Sequence, residues 1–168
     1  MKGVVVYESL WGNTAAVARA IAEGIGPDAR ALSTAEATGE AVTGADLIVA
    51  GAPVFAFHLS SDKSREDIRR NPPKGPAPDL SHPSLRSWLA ALPSGSGRSA
   101  AFDTQVKGPF GKGAPTIAEA LEGRGYARLA DPVGFVVKGK TGPLRDGELE
   151  RARAWGAELA RLMAGTGA

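Results

Sequence analysis

The residues best placed to do chemistry in this chain are Ser9, Leu10, Trp11, Gly12, Asn13 and Thr14, consecutive between an apolar run and a stretch of helical spacing. Ser9 and Thr14 offer hydroxyls, Asn13 offers an amide, and Gly12 lets a ligand approach the backbone closely. Where a helix opens at such a loop, its first N–H groups are unpaired and its dipole favours an anion. Each hydrogen bond to a charged oxygen contributes on the order of 1.5–3 kcal/mol, so neutral donors can hold a phosphate although the loop has no lysine or arginine. Ser9 and Asn13 are equally residue types that cap a helix with no ligand present.

A second phosphate pattern fails on its context. Gly134-Phe135-Val136-Val137-Lys138-Gly139-Lys140-Thr141 satisfies Gly-x-x-x-x-Gly-Lys-Thr letter by letter. A true loop of that kind follows its strand and opens a helix. Here Phe135, Val136 and Val137 are themselves strand-like and Gly142-Pro143 follows at once, so triphosphate hydrolysis is not expected. The absence of cysteine removes disulfides, thiolate nucleophiles and iron–sulfur ligation, and His58 and His82 cannot complete a zinc site by themselves. Any redox chemistry must come from an organic cofactor. No role is assigned to either histidine.

From Lys63 to Lys74, the cations Lys63, Arg65, Arg69, Arg70 and Lys74 outnumber Glu66 and Asp67. The stretch could meet an anionic partner or be a solvated polar loop, but no aromatic residue interleaves the charges, as single-stranded nucleic acids require, so nucleic acid is not an expected partner. No apolar run is long enough to span a bilayer, and Glu8 interrupts the first apolar stretch too soon for a secretory segment. The expected location is the cytoplasm.

The elements that must position the loop follow from the apolar pattern. Val4 to Tyr7 reads as a first strand buried on both faces, and Thr14 to Ile25 as an amphipathic helix. Ala29 to Leu32 then suits a second strand, Thr34 to Ala41 a short helix, and Asp46 to Ala50 a third strand ending at Gly51. From Ala52 to His82 no period is sustained, and the prolines between Asn71 and Pro78 exclude a regular helix there. A helix near Pro83 to Leu92, a fourth strand from Ser99 to Phe102 and a glycine-rich loop from Asp103 to Gly113 come next. A helix around Thr116 to Glu122, a fifth strand from Val133 to Val137 and a last helix with Leu149, Ala152, Gly156, Leu159 and Met163 on one face complete the chain. At 168 residues the expectation is one domain over residues 1–168, with a mostly parallel sheet covered on both faces. Ligands in such sheets bind beyond the carboxyl ends of the strands, which selects the loops after the first, third and fourth.

With those loops in place, Tyr7-Glu8-Ser9-Leu10-Trp11-Gly12-Asn13-Thr14 resembles the first-strand signature of flavodoxins, in which a hydroxyl residue followed by Gly-x-Thr wraps the phosphate of flavin mononucleotide (FMN). Ser9, Gly12 and Thr14 match that pattern. Trp11 stands where flavodoxins usually have a second hydroxyl, and its indole N–H is the candidate replacement donor. The resemblance implies an α/β three-layer sandwich, a five-stranded parallel sheet of order 2-1-3-4-5 with helices on both faces. It also implies that the ring of FMN lies between the loops after the third and fourth strands. The first of these carries Ala52, Pro53, Val54 and Phe55, with Phe55 or Phe57 available to stack on the ring. The second carries Asp103, Thr104, Gln105, Lys107 and Gly108. It lacks the stacking tyrosine of many electron-carrier flavodoxins and has Lys107, a cation that could stabilise the reduced ring.

The function implied is noncovalent FMN binding and electron transfer, to a redox partner protein or a small electron acceptor, by a carrier or a small FMN-dependent reductase. Carrier flavodoxins are markedly acidic, whereas this chain has a net charge of +2, which tilts the expectation toward a reductase or a specialised partner. The alternative is a module of the same fold that holds no flavin. No catalytic acid or base and no metal ligand is named.

Overall fold

Val4, Val5 and Val6 are apolar on both faces of the backbone, and a strand of that kind is stable only between two layers. In the computed structural model, which describes residues 1–54, 58–108 and 111–166, this run forms β1 (Gly3–Tyr7) near the middle of a parallel sheet. Its neighbours are β2 (Ala29–Ser33) and β3 (Leu47–Pro53), and β3 pairs in turn with β4 (Arg98–Val106). The position beyond β4 is shared by the two-residue β5 (Ala127–Arg128) and by β6 (Val133–Val137), which pair with its beginning and its end. The order 2-1-3-4-5 therefore holds, with the fifth place divided between two segments.

Side chains alternate along each strand, so the sheet feeds two cores. Val5, Leu47, Val49, Phe102 and Phe135 pack under α1 (Asn13–Ile25) and α6 (Glu148–Thr166). Val4, Val6, Ile48, Ala50 and Ala101 pack under α2 (Gly39–Val42), α4 (Leu85–Ala91) and α5 (Ala114–Glu122). On the first face the helices touch backbone to backbone. A Cβ on Gly156 would lie 2.2 Å from the Ile21 carbonyl oxygen, and one on Gly24 would lie 2.0 Å from that of Arg153. Only glycine permits this crossing.

Four local departures from the sequence expectations have physical causes. Thr34 to Ala41 is not one helix: residues 34–36 form a turn, and α2 begins only after Thr38, whose hydroxyl oxygen accepts from Ala41 N at 3.3 Å. Within the stretch expected to be loop lies α3 (Asp62–Arg70), capped reciprocally by Ser61 and Ser64. It buries only Arg65 and Ile68, too few apolar positions to show a period. The fourth strand runs on through Asp103 to Val106 because Pro53 of β3 and Val137 of β6 still pair with it there. In α6 the buried positions are Glu148, Ala152, Trp155, Gly156 and Leu159, while Leu149 is exposed, and the face packs largely on α1.

Candidate functional site

The register brings Tyr7 opposite Gly51 and Pro53 opposite Thr104, so β1, β3 and β4 end along one edge, and the phosphate loop rises from its middle. Ser9 organises that loop. Its hydroxyl oxygen accepts from the N–H of Gly12 at 3.1 Å and of Ala15 at 3.2 Å, which leaves the hydroxyl proton free to donate. Gly12 turns the chain with a φ of +89°, and a Cβ there would meet no atom within 4 Å, so the space before the loop is open. Among the described residues no acceptor meets the main-chain N–H of Trp11, Asn13 or Thr14. The Thr14 hydroxyl lies 2.8 Å from that of Thr104, which couples the loop after β1 to the end of β4. Asn13 donates its amide to the Thr141 carbonyl at 3.1 Å. The P-loop look-alike thus contributes a carbonyl anchor, and its first residues form β6 as expected.

Trp11 is placed differently from the expectation. Its indole N–H donates to the Pro76 carbonyl at 2.9 Å, so that donor is committed to the segment between α3 and α4 and not to the loop interior. The same segment grips the loop twice more. Asp79 N donates to the Leu10 carbonyl at 2.7 Å, and Ser9 N donates to Nε2 of His82 at 3.1 Å. The Leu10 side chain is buried, which fixes this side of the loop in the core.

Beneath the loop lies a charged cluster that the sequence reading did not find. Glu8 is fully buried. Its carboxylate accepts from the Ser60 hydroxyl and, at 2.8 Å, from Leu85 N, and Arg65 Nε stands 3.7 Å from it. Arg65 is not the solvated cation expected of the basic stretch but a buried one. Its guanidinium donates to the His82 carbonyl, while Nε and Nη2 have no hydrogen-bond partner among the described residues. His82 must be neutral at Nε2 to accept from Ser9. Burial, and then the Arg65 guanidinium, hold its imidazole below the ordinary value, against Asp79 and Glu8, which pull the other way. One signal was available in the sequence: a carboxylate that directly follows a strand buried on both faces demands a buried cation.

At the ends of β3 and β4 the expected ring-binding residues separate. The Ala52 side chain belongs to the core, Pro53 and Val54 are half-buried, and Val54 N donates to the Thr104 carbonyl at 2.9 Å. Phe55 and Phe57, the stacking candidates, lie outside the described residues. Asp103 is buried and caps α5, accepting from Gly113 N and Ala114 N at 2.9 Å each. Desolvation raises its carboxyl above the usual aspartate value, although both amides and Lys112 oppose the shift. Gln105 is half-buried, and Lys107 and Gly108 are exposed at the edge.

The donor set of the loop fits a phosphate ester. Ser9 O–H, the three unclaimed N–H groups and the Thr14–Thr104 hydroxyl pair all lie at the head of α1, where the dipole adds to them. A flavin phosphate therefore suits these residues chemically.

No model of a protein family matches the sequence, and no curated protein does. Solved structures do match. A flavodoxin from the domain Archaea superposes with a TM-score of 0.66 at 21% identity, over 98% of this chain and 99% of its own. Flavodoxin 1 from Bacillus cereus gives 0.63 at 19% identity, over 96% and 98%. Rubredoxin:oxygen oxidoreductase from Desulfovibrio gigas gives 0.63 at 18% identity, with this chain spanning 37% of that longer one. Taken with the sheet order and the helices on both faces, these likenesses identify the fold of the chain as flavodoxin-like.

Proposed function

We propose that this chain binds FMN noncovalently, with its phosphate at residues 9–14 and its ring beyond the ends of β3 and β4, and passes electrons to a redox partner protein or a small acceptor in the cytoplasm. The observation that supports this is the set of unclaimed donors at the head of α1, beside the switch point where the crossovers leaving β1 and β3 run in opposite directions. The flavin would supply the electron transfer itself. The chain would hold the phosphate through Ser9 O–H and the N–H groups of Asn13 and Thr14. Through the Thr14–Thr104 pair it would also fix the phosphate loop against the loop that borders the ring. The net charge of +2 favours a small reductase or an acidic partner over a carrier that docks on basic surfaces.

Purified protein mixed with FMN and desalted should keep the visible flavin band, and its flavin fluorescence should be quenched. A colourless desalted sample, with unchanged fluorescence at micromolar FMN, would overturn the reading. The commitment of the Trp11 indole to Pro76 favours one alternative, a module of the same fold without flavin, and the colourless result would be its signature.

A further inference from the structure

On the β2 side of the phosphate loop, away from β3, lies a compartment of about 590 Å³. It is flanked by the head of α1, the residues that follow β2 and part of the 76–82 segment. Its volume falls within the roughly 300–1,000 Å³ of small-molecule sites. Ser9, Trp11 and Gly12 line it, so it adjoins the place where the phosphate would sit. A mononucleotide whose phosphate sits at Ser9 and Gly12 and whose ring points toward β3 and β4 would leave the part by Arg19, Ala35 and Glu36 unfilled.

The chemistry of its walls is specific. Arg19, exposed on α1, lines it and makes no salt bridge among the described residues, so its charge is available to a second anion. Glu36 stands just beyond the carboxyl end of β2, the place from which an acidic side chain takes ribose hydroxyls in dinucleotide folds. One of its oxygens accepts from Ser33 N at 3.0 Å, and the carboxylate, exposed at the rim, has further lone pairs for a ribose hydroxyl. Hydrogen bonds from Ser33, and behind them Arg30 and Arg19, keep that carboxyl below the usual glutamate range and so ionised. Trp11 supplies an aromatic wall, oriented by its bond to Pro76. A cation, a diol acceptor and an aromatic surface beside a phosphate loop are the requirements of a nucleoside monophosphate joined to the first phosphate.

We propose that this compartment takes the adenylate half of a flavin dinucleotide, with Arg19 facing the second phosphate, Glu36 the ribose and Trp11 the base. The inference rests on the flavin reading above and refines its ligand: the phosphate loop accepts the mononucleotide, and the dinucleotide binds better. It also gives Trp11 a purpose where a hydroxyl would have served a mononucleotide alone.

Isothermal titration of FMN and of flavin adenine dinucleotide into the wild type, Arg19→Glu and Ala35→Trp tests it. Ala35 is exposed and lines the compartment, so a tryptophan there should fill it without touching the core. The wild type should bind the dinucleotide about tenfold or more tightly than FMN, the equivalent of one charge-assisted contact. Both variants should lose that advantage and keep FMN affinity. If circular dichroism shows one variant unfolded, the other carries the comparison. Tight FMN binding with an equal or weaker dinucleotide would overturn the proposal and leave the flavin reading standing. A dinucleotide preference unchanged in the variants would overturn it too. Failure of both flavins to bind would remove it together with the flavin reading.

Discussion

Replacing Arg65 by methionine should destabilise the protein by about 3–5 kcal/mol, the usual consequence of stranding one member of a buried ion pair. The side chains of Arg65 and Glu8 are 5% and 0% exposed and 3.7 Å apart. At an effective dielectric constant of about 20, their attraction is roughly 4.5 kcal/mol. While the pair is intact, desolvation of both ions offsets much of that term. Once the cation is gone, Glu8 keeps, among the described residues, only the Ser60 hydroxyl and Leu85 N–H for a charge that water cannot reach. Glu8→Gln in the same background removes the stranded charge and keeps an acceptor, so the double variant should recover at least about 2 kcal/mol relative to the sum of the singles. Urea unfolding of the four proteins at neutral pH closes the cycle. An Arg65→Met variant within about 1 kcal/mol of wild type, or a coupling below about 0.5 kcal/mol, would show that Arg65 does not neutralise Glu8.

His82 makes stability depend on pH with a defined sign. Its folded-state value lies below the unfolded 6.5, so the unfolded chain takes the proton first. The contribution is present above 6.5 and fades as pH falls from there through the folded value, and His82→Gln, which still offers Ser9 an acceptor, should flatten that slope. An identical pH profile in the variant would refute this. Gly156→Ala places a methyl 2.2 Å from the Ile21 carbonyl oxygen and should cost about 2 kcal/mol or more in thermal unfolding; an unchanged transition would mean that α1 and α6 are not in backbone contact. Gly12→Val meets no neighbour but must hold a φ of +89°, a strain of roughly 1–2 kcal/mol, so it should fold. Because its side chain projects into the open space before the loop, it should fail to retain FMN on desalting.

Much of the architecture is legible in the sequence because it is carried by local pattern. The valines of β1 and the Leu47 to Ala50 run must be buried on both faces, and Thr14 to Ile25 repeats at helical spacing. What the sequence hides depends on partners far along the chain. Helix α3 shows no apolar period because a buried arginine takes one of its two core positions, and that arginine is answered by Glu8, 57 residues earlier. The Ser61-x-x-Ser64 cap was the one local sign of that helix. Asp103 looks like a loop residue, yet it lies in a strand because Ala52 and Gly134 pair with it on either side, and its side chain caps a helix that starts eleven residues later. In the candidate site, Ser9, Gly12 and Thr14 could be picked out from type and spacing alone. His82 and the Pro76 carbonyl could not, since nothing local says that a proline-rich segment folds back over residues 9–11.

The glycine crossing between α1 and α6 has a bearing on biosynthesis. The two contact points, Gly24 and Gly156, are separated by roughly 130 positions, so at 5–20 residues per second a ribosome makes the second some 7–26 seconds after the first. Until then Val17 and Ile21 lack the cover of Ala152, Trp155 and Leu159. The helix whose head would grip a phosphate thus matures only once α6 has been made, which makes cofactor capture wait on a segment roughly 130 positions downstream of the loop it completes.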